Sequence, residues 1–486
     1  MLFDLAGQQL AAGRREWRHL PVPGVPGSQA FDTRASWLLI CHSIYEALSA
    51  LEDPAAVRAV SYSCMGGGLV LYDRHGDEVW ACANGDARSD LEARDLLEGG
   101  DAERLYRSGG AWISLSAPPR LRWIEAHQPE LWGSIAQVGM IGDWVLRRLT
   151  GEFATDPSMG STSGMFDLAT RTWAPAATDV AHLRSSALPD VVDAGTPVGS
   201  VSRSAAEMTG LRPGTIVVAG GVDTALALLG AGRGVAGALT ISGGSFWKQS
   251  IVVKKPLIQA EGRLRTTCDV QPGRWMVEGF GFYAGLALRW FRDTYGRAAL
   301  RRLPVGSGPY AALERLAAAA APGANGVVAD APLVDAWTWA RRPDAFLAPT
   351  ALRPRRNRDG ECVRAIEEAA AYVARANVES IEALVGTRFP DAVFTGGAAQ
   401  GMLWPQILAN VLGIPLAIPS DIESAARGAA AVAGWGSGLL SRPPTGEIPG
   451  PEQPARVVSP DPDTADAYDA HFQLWKDRVA RTPASG

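Results

Sequence analysis

Thr215-Ile216-Val217-Val218-Ala219-Gly220-Gly221-Val222-Asp223-Thr224-Ala225-Leu226-Ala227-Leu228-Leu229-Gly230 is the stretch that decides how this chain is built. Its first five residues are β-branched or apolar and read as a buried strand. The two glycines then allow a tight turn, and the apolar run that follows reads as a helix. A strand fed into a helix in this way is a unit of an α/β layered protein. Asp223 stands at the junction. One reading is a helix cap, because a carboxylate accepts the free N–H groups of a first turn and complements the helix dipole. The other is a functional acid at the rim of a cleft.

A chain of 486 residues exceeds one ordinary core, so two domains are expected, and 47% hydrophobic residues suffice to fill them. A formal charge of −5 gives no broad basic field, which argues against nucleic acid or an anionic membrane as the main partner. Any phosphate must therefore be held locally. The five cysteines, Cys41, Cys64, Cys82, Cys268 and Cys362, are scattered without C-x-x-C spacing. They suggest neither a disulfide framework nor a zinc site, and a reducing cytoplasm is the expected compartment. The six histidines make no H-E-x-x-H or other ligand pattern. Met1 is followed by Leu-Phe-Asp rather than a basic then apolar leader, and no uncharged apolar run of about 18 residues occurs. The basic run Arg353-Pro354-Arg355-Arg356-Asn357-Arg358 reads as a solvated loop.

Outward from the opening stretch, the pattern repeats. Residues 2–5 and 8–17 flank an Ala-Gly turn and read as a hairpin, followed by a helical pattern over 33–51. Residues 57–63 and 69–72 read as strands, and 120–126 and 142–149 as helices. The second half opens with a hairpin, 238–242 and 246–253, closed by Gly243-Gly244-Ser245. A long helix over 361–384 follows. After it come a strand at 392–395, a helix at 402–412, a strand at 415–418 and a small-residue helix over 424–434.

Three glycine turns stand out. Gly243-Gly244-Ser245 offers backbone N–H groups and a hydroxyl, which suits phosphate oxygens. Gly396-Gly397-Ala398-Ala399 lets a planar base approach the backbone. Gly66-Gly67-Gly68 is the third. None matches a P-loop or G-x-G-x-x-G pattern, and each alone is compatible with an ordinary tight turn. Three of them with an acid at a strand end point to a cleft between two domains.

Gly220-Gly221-Val222-Asp223, Ser242-Gly243-Gly244-Ser245-Phe246-Trp247 and the run from Thr395-Gly396-Gly397-Ala398-Ala399-Gln400-Gly401 to Ala409 together resemble the FGGY carbohydrate kinases. Glu16-Trp17-Arg18-His19-Leu20, Val25-Pro26-Gly27-Ser28 and Trp80-Ala81-Cys82-Ala83-Asn84 with Asp86-Ala87-Arg88 resemble its autoinducer-2 kinase branch. The resemblance spans nearly the whole chain. It implies two actin-like, ribonuclease H-like α/β domains, 1–234 on the substrate side and 235–486 on the nucleotide side, with an interdomain cleft. It implies Asp223 as general base, with Gly243, Gly244 and Ser245 facing the β- and γ-phosphates of ATP. Gly396, Gly397 and Ala398 would border the adenosine, and Mg²⁺ would bridge the phosphates. Asp86, Arg88 and Trp247 are the substrate-side candidates, against a surface ion pair for the first two and a core aromatic for the third. The substrate implied is the open-chain form of 4,5-dihydroxy-2,3-pentanedione. Relatives of this branch also imply contact with the phosphocarrier protein of the sugar phosphotransferase system.

The chain departs from the family pattern twice. Ser63-Cys64-Met65-Gly66-Gly67-Gly68 carries glycines where charged substrate-loop side chains are expected, which leaves a kinase for another small ketose or polyol open. Met1-Leu2-Phe3-Asp4-Leu5-Ala6-Gly7 aligns with the family's second strand and turn, so the first strand with its Asp-x-Gly-Thr phosphate loop is missing from the chain as written. The expectation is a true start upstream of a mis-set Met1. The alternative is an inactive relative that retains a sugar-phosphate site.

Overall fold

A seven-stranded mixed sheet forms the frame of the second half. Its order is Arg265–Cys268, Trp275–Gly281, Trp247–Val253, Leu239–Gly243, Ala392–Thr395, Leu416–Ile418 and Arg456–Val458. The strand Ala392–Thr395 lies parallel to both of its neighbours, and the remaining pairs are antiparallel. This computed structural model describes residues 1–17, 19–234, 236–281, 284–295, 308–329, 333, 335–336, 359–419, 423–443, 448 and 455–481. The basic run at 353–358 lies outside them. The expected hairpin forms with Gly243 opposite Trp247, and the expected long helix runs Asp359–Val385. That helix is buried over most of its length because it packs on the sheet and on four further helices.

The first half holds its strands in smaller groups. Ile216–Val218 lies between Pro197–Ser200 and Ala59–Val60, and Gly221–Val222 pairs in parallel with Ser63–Cys64. Leu69–Tyr72 lies between Glu78–Cys82 and Gln137–Met140, and Leu2–Phe3 pairs with Gln9–Ala11. The single strand expected over 57–63 is two short ones, Ala59–Val60 and Ser63–Cys64. The cause is close approach. A Cβ at Gly220 would stand 1.9 Å from the Tyr62 carbonyl oxygen, so the glycine turn presses backbone against backbone and breaks the ladder there. Among the described residues, Ala59–Val60 and Ser63–Cys64 each have a ladder partner on one side only.

Two apolar clusters result, one per half, with exchange between them. The helix Ser424–Gly436 comes from the second half, yet its Ala429 and Val432 join the first cluster beside Val218 and Leu226. It crosses the helix Asp223–Gly230 at van der Waals contact. A Cβ at Gly230 would lie 1.9 Å from the Ser424 carbonyl oxygen, and one at Gly428 would lie 2.1 Å from that of Leu226.

Asp143 and Asp156 lie buried in the first half. Asp143 Oδ2 accepts the Met140 N–H at 2.8 Å, and Asp156 caps the helix Pro157–Ser161 through the N–H groups of Ser158 and Met159. Burial pushes Asp143 up to about 8 and Asp156 up to about 7. Each holds its proton in the folded state where the unfolded carboxyl, near ~4, has lost it. Their stabilising contribution is therefore full below pH ~4 and is lost as pH rises towards 7 and 8. Asp143→Asn keeps an acceptor for Met140 and removes one ionisation. Urea denaturation at pH 5 and pH 8 should show a smaller loss of stability in the variant than in the parent, and equal losses would contradict this assignment.

Candidate active site

The strand-to-helix turn delivers Asp223 as the first residue of the helix Asp223–Gly230, where it is half-buried. Val222 takes the cap position, and its N–H donates to Ser158 Oγ at 3.0 Å, which fixes the turn from behind. Asp223 Oδ1 accepts the Thr224 N–H at 2.7 Å and the Thr224 hydroxyl at 3.1 Å. Among the described residues Oδ2 makes no hydrogen bond. The carboxylate thus satisfies one first-turn N–H with one oxygen and leaves the other available, so capping and chemistry coexist.

Facing Thr224 from the second half is Lys248, whose Nζ donates to Thr224 Oγ1 at 2.5 Å. Lys248 pairs across the hairpin with Ser242, one residue before the Gly243 turn. Its charge is balanced by Glu278, 3.9 Å away, which also pairs with Arg265 at 2.8 Å. Glu278 is wholly buried. Burial raises its pKa, but Lys248 and Arg265 outweigh that and hold it below the usual carboxylate range.

The Gly243 and Gly396 turns come together at the ends of parallel strands. Ser242 lies opposite Thr395, their hydroxyl oxygens 3.4 Å apart. A Cβ at Gly396, whose φ is +87°, would meet the Gly243 carbonyl oxygen at 2.8 Å, and one at Gly243 would meet Ala398 Cβ at 2.9 Å. Glycine is required at both positions for this approach. Gly397, by contrast, faces open space, and Gly244 is exposed. Ser245 accepts the Leu286 N–H through its carbonyl, which ties the turn to the helix Ala284–Thr294.

Asp86 and Arg88 form a buried pair rather than a surface one, with side-chain exposures of 0% and 2%. Arg88 Nε and Nη2 donate to the two Asp86 oxygens at 2.8 Å, and the Gln29 N–H donates to Oδ2 at 2.6 Å. The guanidinium is sandwiched between Trp80 and Trp123. With both Asp86 oxygens and two of the Arg88 nitrogens engaged, the pair braces the Gln29 backbone against residues 86–88. Arg120 does the same from behind, donating to the carbonyls of Asp86, Asn84 and Gly67.

Trp247 requires a correction. Its ring is fully buried in the second core against Phe394 and Trp404, with centroids at 5.2 and 5.0 Å. Successive strand residues point to opposite faces, so Trp247 takes the core and Lys248 the cleft. Strand alternation was the signal that could have found Lys248. The Gly66–Gly68 turn is also set by packing. A Cβ at Gly66 would lie 2.6 Å from Thr162 Cγ2, one at Gly68 would lie 2.4 Å from Ile141 Cδ1, and Gly67 has φ of +84°.

Among the described residues no group of three or more His, Cys, Asp or Glu side chains could hold a metal ion, and no helix is long and apolar enough to cross a membrane. An available carboxylate oxygen at a helix start, a neighbouring cation and two apposed glycine turns suit transfer of a phosphoryl group to a hydroxyl.

Comparison with known proteins agrees. Residues 2–230 match the FGGY family of carbohydrate kinases, N-terminal domain, and residues 247–437 match its C-terminal domain. The autoinducer-2 kinase of Enterobacter sp. (strain 638) is 38% identical over 485 residues, covering 98% of this chain and 91% of the relative. That of Yersinia pestis bv. Antiqua (strain Angola) is 40% identical over 445 residues, 90% and 84% of the two chains. Among solved structures, ligand-bound xylulose kinase from Lactobacillus acidophilus superposes with a TM-score of 0.85 at 18% identity, covering 99% of this chain and 95% of that one. Xylulose kinase from Rhodospirillum rubrum gives 0.77 at 25% identity, covering 95% and 92%. With both domain profiles matched in order and the two-domain fold in place, the chain belongs to the FGGY family of carbohydrate kinases and is an ATP-dependent carbohydrate kinase.

Proposed function

We propose that this kinase phosphorylates the terminal hydroxyl of open-chain 4,5-dihydroxy-2,3-pentanedione, the autoinducer-2 precursor, with Asp223 as general base. The observation that carries the chemistry is the asymmetric carboxylate, one oxygen held by Thr224 and the other without a hydrogen bond. The substrate hydroxyl donates to Oδ2. Its proton passes to Asp223 as the new oxygen–phosphorus bond forms and the bond to ADP breaks. Gly243, Gly244 and Ser245 receive the β- and γ-phosphates through N–H groups and a hydroxyl, and Gly396, Gly397 and Ala398 border the adenosine. The open face of Gly397 and the exposure of Gly244 suit these roles. Mg²⁺ bound with the nucleotide would supply charge neutralisation at the phosphates, a role that does not need a dedicated set of protein ligands. Asp86 and Arg88 serve as a rigid wall behind the substrate loop. The division at residue 234, a cytoplasmic setting and a contact with the phosphocarrier protein of the sugar phosphotransferase system complete the reading.

The substrate rests on the named relatives at 38–40% identity. A second reading, a kinase for another small ketose or polyol, is favoured by the Gly66–Gly68 turn, which brings no charged side chain to the substrate loop. ADP release measured with the dione, xylulose, ribulose and glycerol separates the two. Turnover of the dione well above that of the others is expected, and activity on a ketose without activity on the dione would overturn it.

A further inference from the structure

We propose that Lys248 and Thr224 form a hydrogen-bond relay that orients the Asp223 carboxylate, making Lys248 a positioning residue supplied across the cleft by the opposite half of the chain. The inference rests on reading Asp223 as the base. It starts from donor and acceptor counts. An ammonium has three donors and no acceptor, so in the contact between Lys248 Nζ and Thr224 Oγ1 the hydroxyl oxygen accepts. The single hydroxyl hydrogen is then left to point at Asp223 Oδ1, 3.1 Å away. The chain runs one way, Lys248 to Thr224 to Asp223, and each bond polarises the next. Its end point, Oδ1, also holds the Thr224 N–H at 2.7 Å, so the carboxylate is fixed at one oxygen by two donors. The other oxygen is thereby presented to the acceptor hydroxyl in one orientation.

Lys248 is itself held. The Glu278 carboxylate lies 3.9 Å away and the Phe280 ring 5.8 Å away, and Glu278 is fixed by Arg265 at 2.8 Å. The lysine side chain is 24% exposed while Glu278 is fully buried, so the cation reaches out of its anchor towards the cleft. Because Lys248 lies on the strand that leaves the Gly243 turn, the relay also joins the acid to the element assigned to the phosphates. A lysine that only tied the two halves together would not need an intervening hydroxyl, and that difference is testable.

The test uses the full-length protein and Lys248→Met, Thr224→Val, Thr224→Ser and the double variant Lys248→Met/Thr224→Val, with Asp223→Asn as reference. ADP release is followed with whichever sugar-like acceptor the parent turns over. The relay requires a fall in kcat of about tenfold in Lys248→Met and Thr224→Val, KM for ATP within about twofold, and no further loss in the double variant. Thr224→Ser, which keeps the hydroxyl, should recover most of the loss. If Asp223→Asn turns over like the parent, the base reading fails. If Asp223→Asn is inactive while Lys248→Met and Thr224→Val match the parent, or if their losses multiply in the double variant, the relay alone fails. A crystal structure of Lys248→Met gives an answer independent of turnover. A carboxylate rotated away from Thr224 Oγ supports the relay, and an unmoved one overturns it.

Discussion

Replacing Asp223 by asparagine is expected to lower turnover by about 10²-fold or more while leaving ATP binding nearly intact, the scale of losing a general base. The amide keeps the size of the side chain and can still accept the two Thr224 bonds through its oxygen. What it loses is the ability to take a proton from the acceptor hydroxyl. The turns at Gly243 and Gly396, proposed to receive the nucleotide, are supported by their own strands and by each other, so the affinity for ATP should hold. Turnover by ADP release and ATP affinity by calorimetry check the two halves of the statement. Unchanged turnover would return Asp223 to a purely capping role.

The second large effect concerns Gly428. In a helix interior alanine is favoured over glycine by about 1 kcal/mol, so propensity alone predicts that Gly428→Ala stabilises. Packing opposes it. The new Cβ would fall 2.1 Å from the Leu226 carbonyl oxygen, a backbone atom that cannot rotate aside, and forcing the helices apart costs about 1–3 kcal/mol. The net expectation is destabilisation. Gly133, exposed in the helix Pro129–Ser134 with nothing within 4 Å of an added Cβ, is the control, and there the same change should be neutral or stabilising. Urea denaturation of both variants checks the signs, and a Gly428→Ala protein as stable as the parent would contradict the close crossing.

Much of this architecture was legible in the sequence because it is local. The strand Ala392–Thr395 appears with the expected bounds, and the helices at 402–412 and 424–434 shift by two residues or fewer, since apolar period and glycine punctuation set them. Asp223 stands out because a strand, two glycines and an acid are contiguous. The missed features are those made by distant segments meeting. Nothing around Tyr62 announces that Gly220 will press on its carbonyl and divide the strand. Asp86 and Arg88 look like a surface pair until Trp80 and Trp123 close over the guanidinium from two separate elements. Trp247 stands in the motif and Lys248 just outside it, whereas the face that meets the cleft depends on which side of the sheet the long helix covers.

The crossing of Asp223–Gly230 with Ser424–Gly436 has a mechanical consequence. At Gly230 and Gly428 the two helices meet backbone to backbone, so no side chain there can yield, and a bulkier residue at either position is answered by a shift of a whole helix.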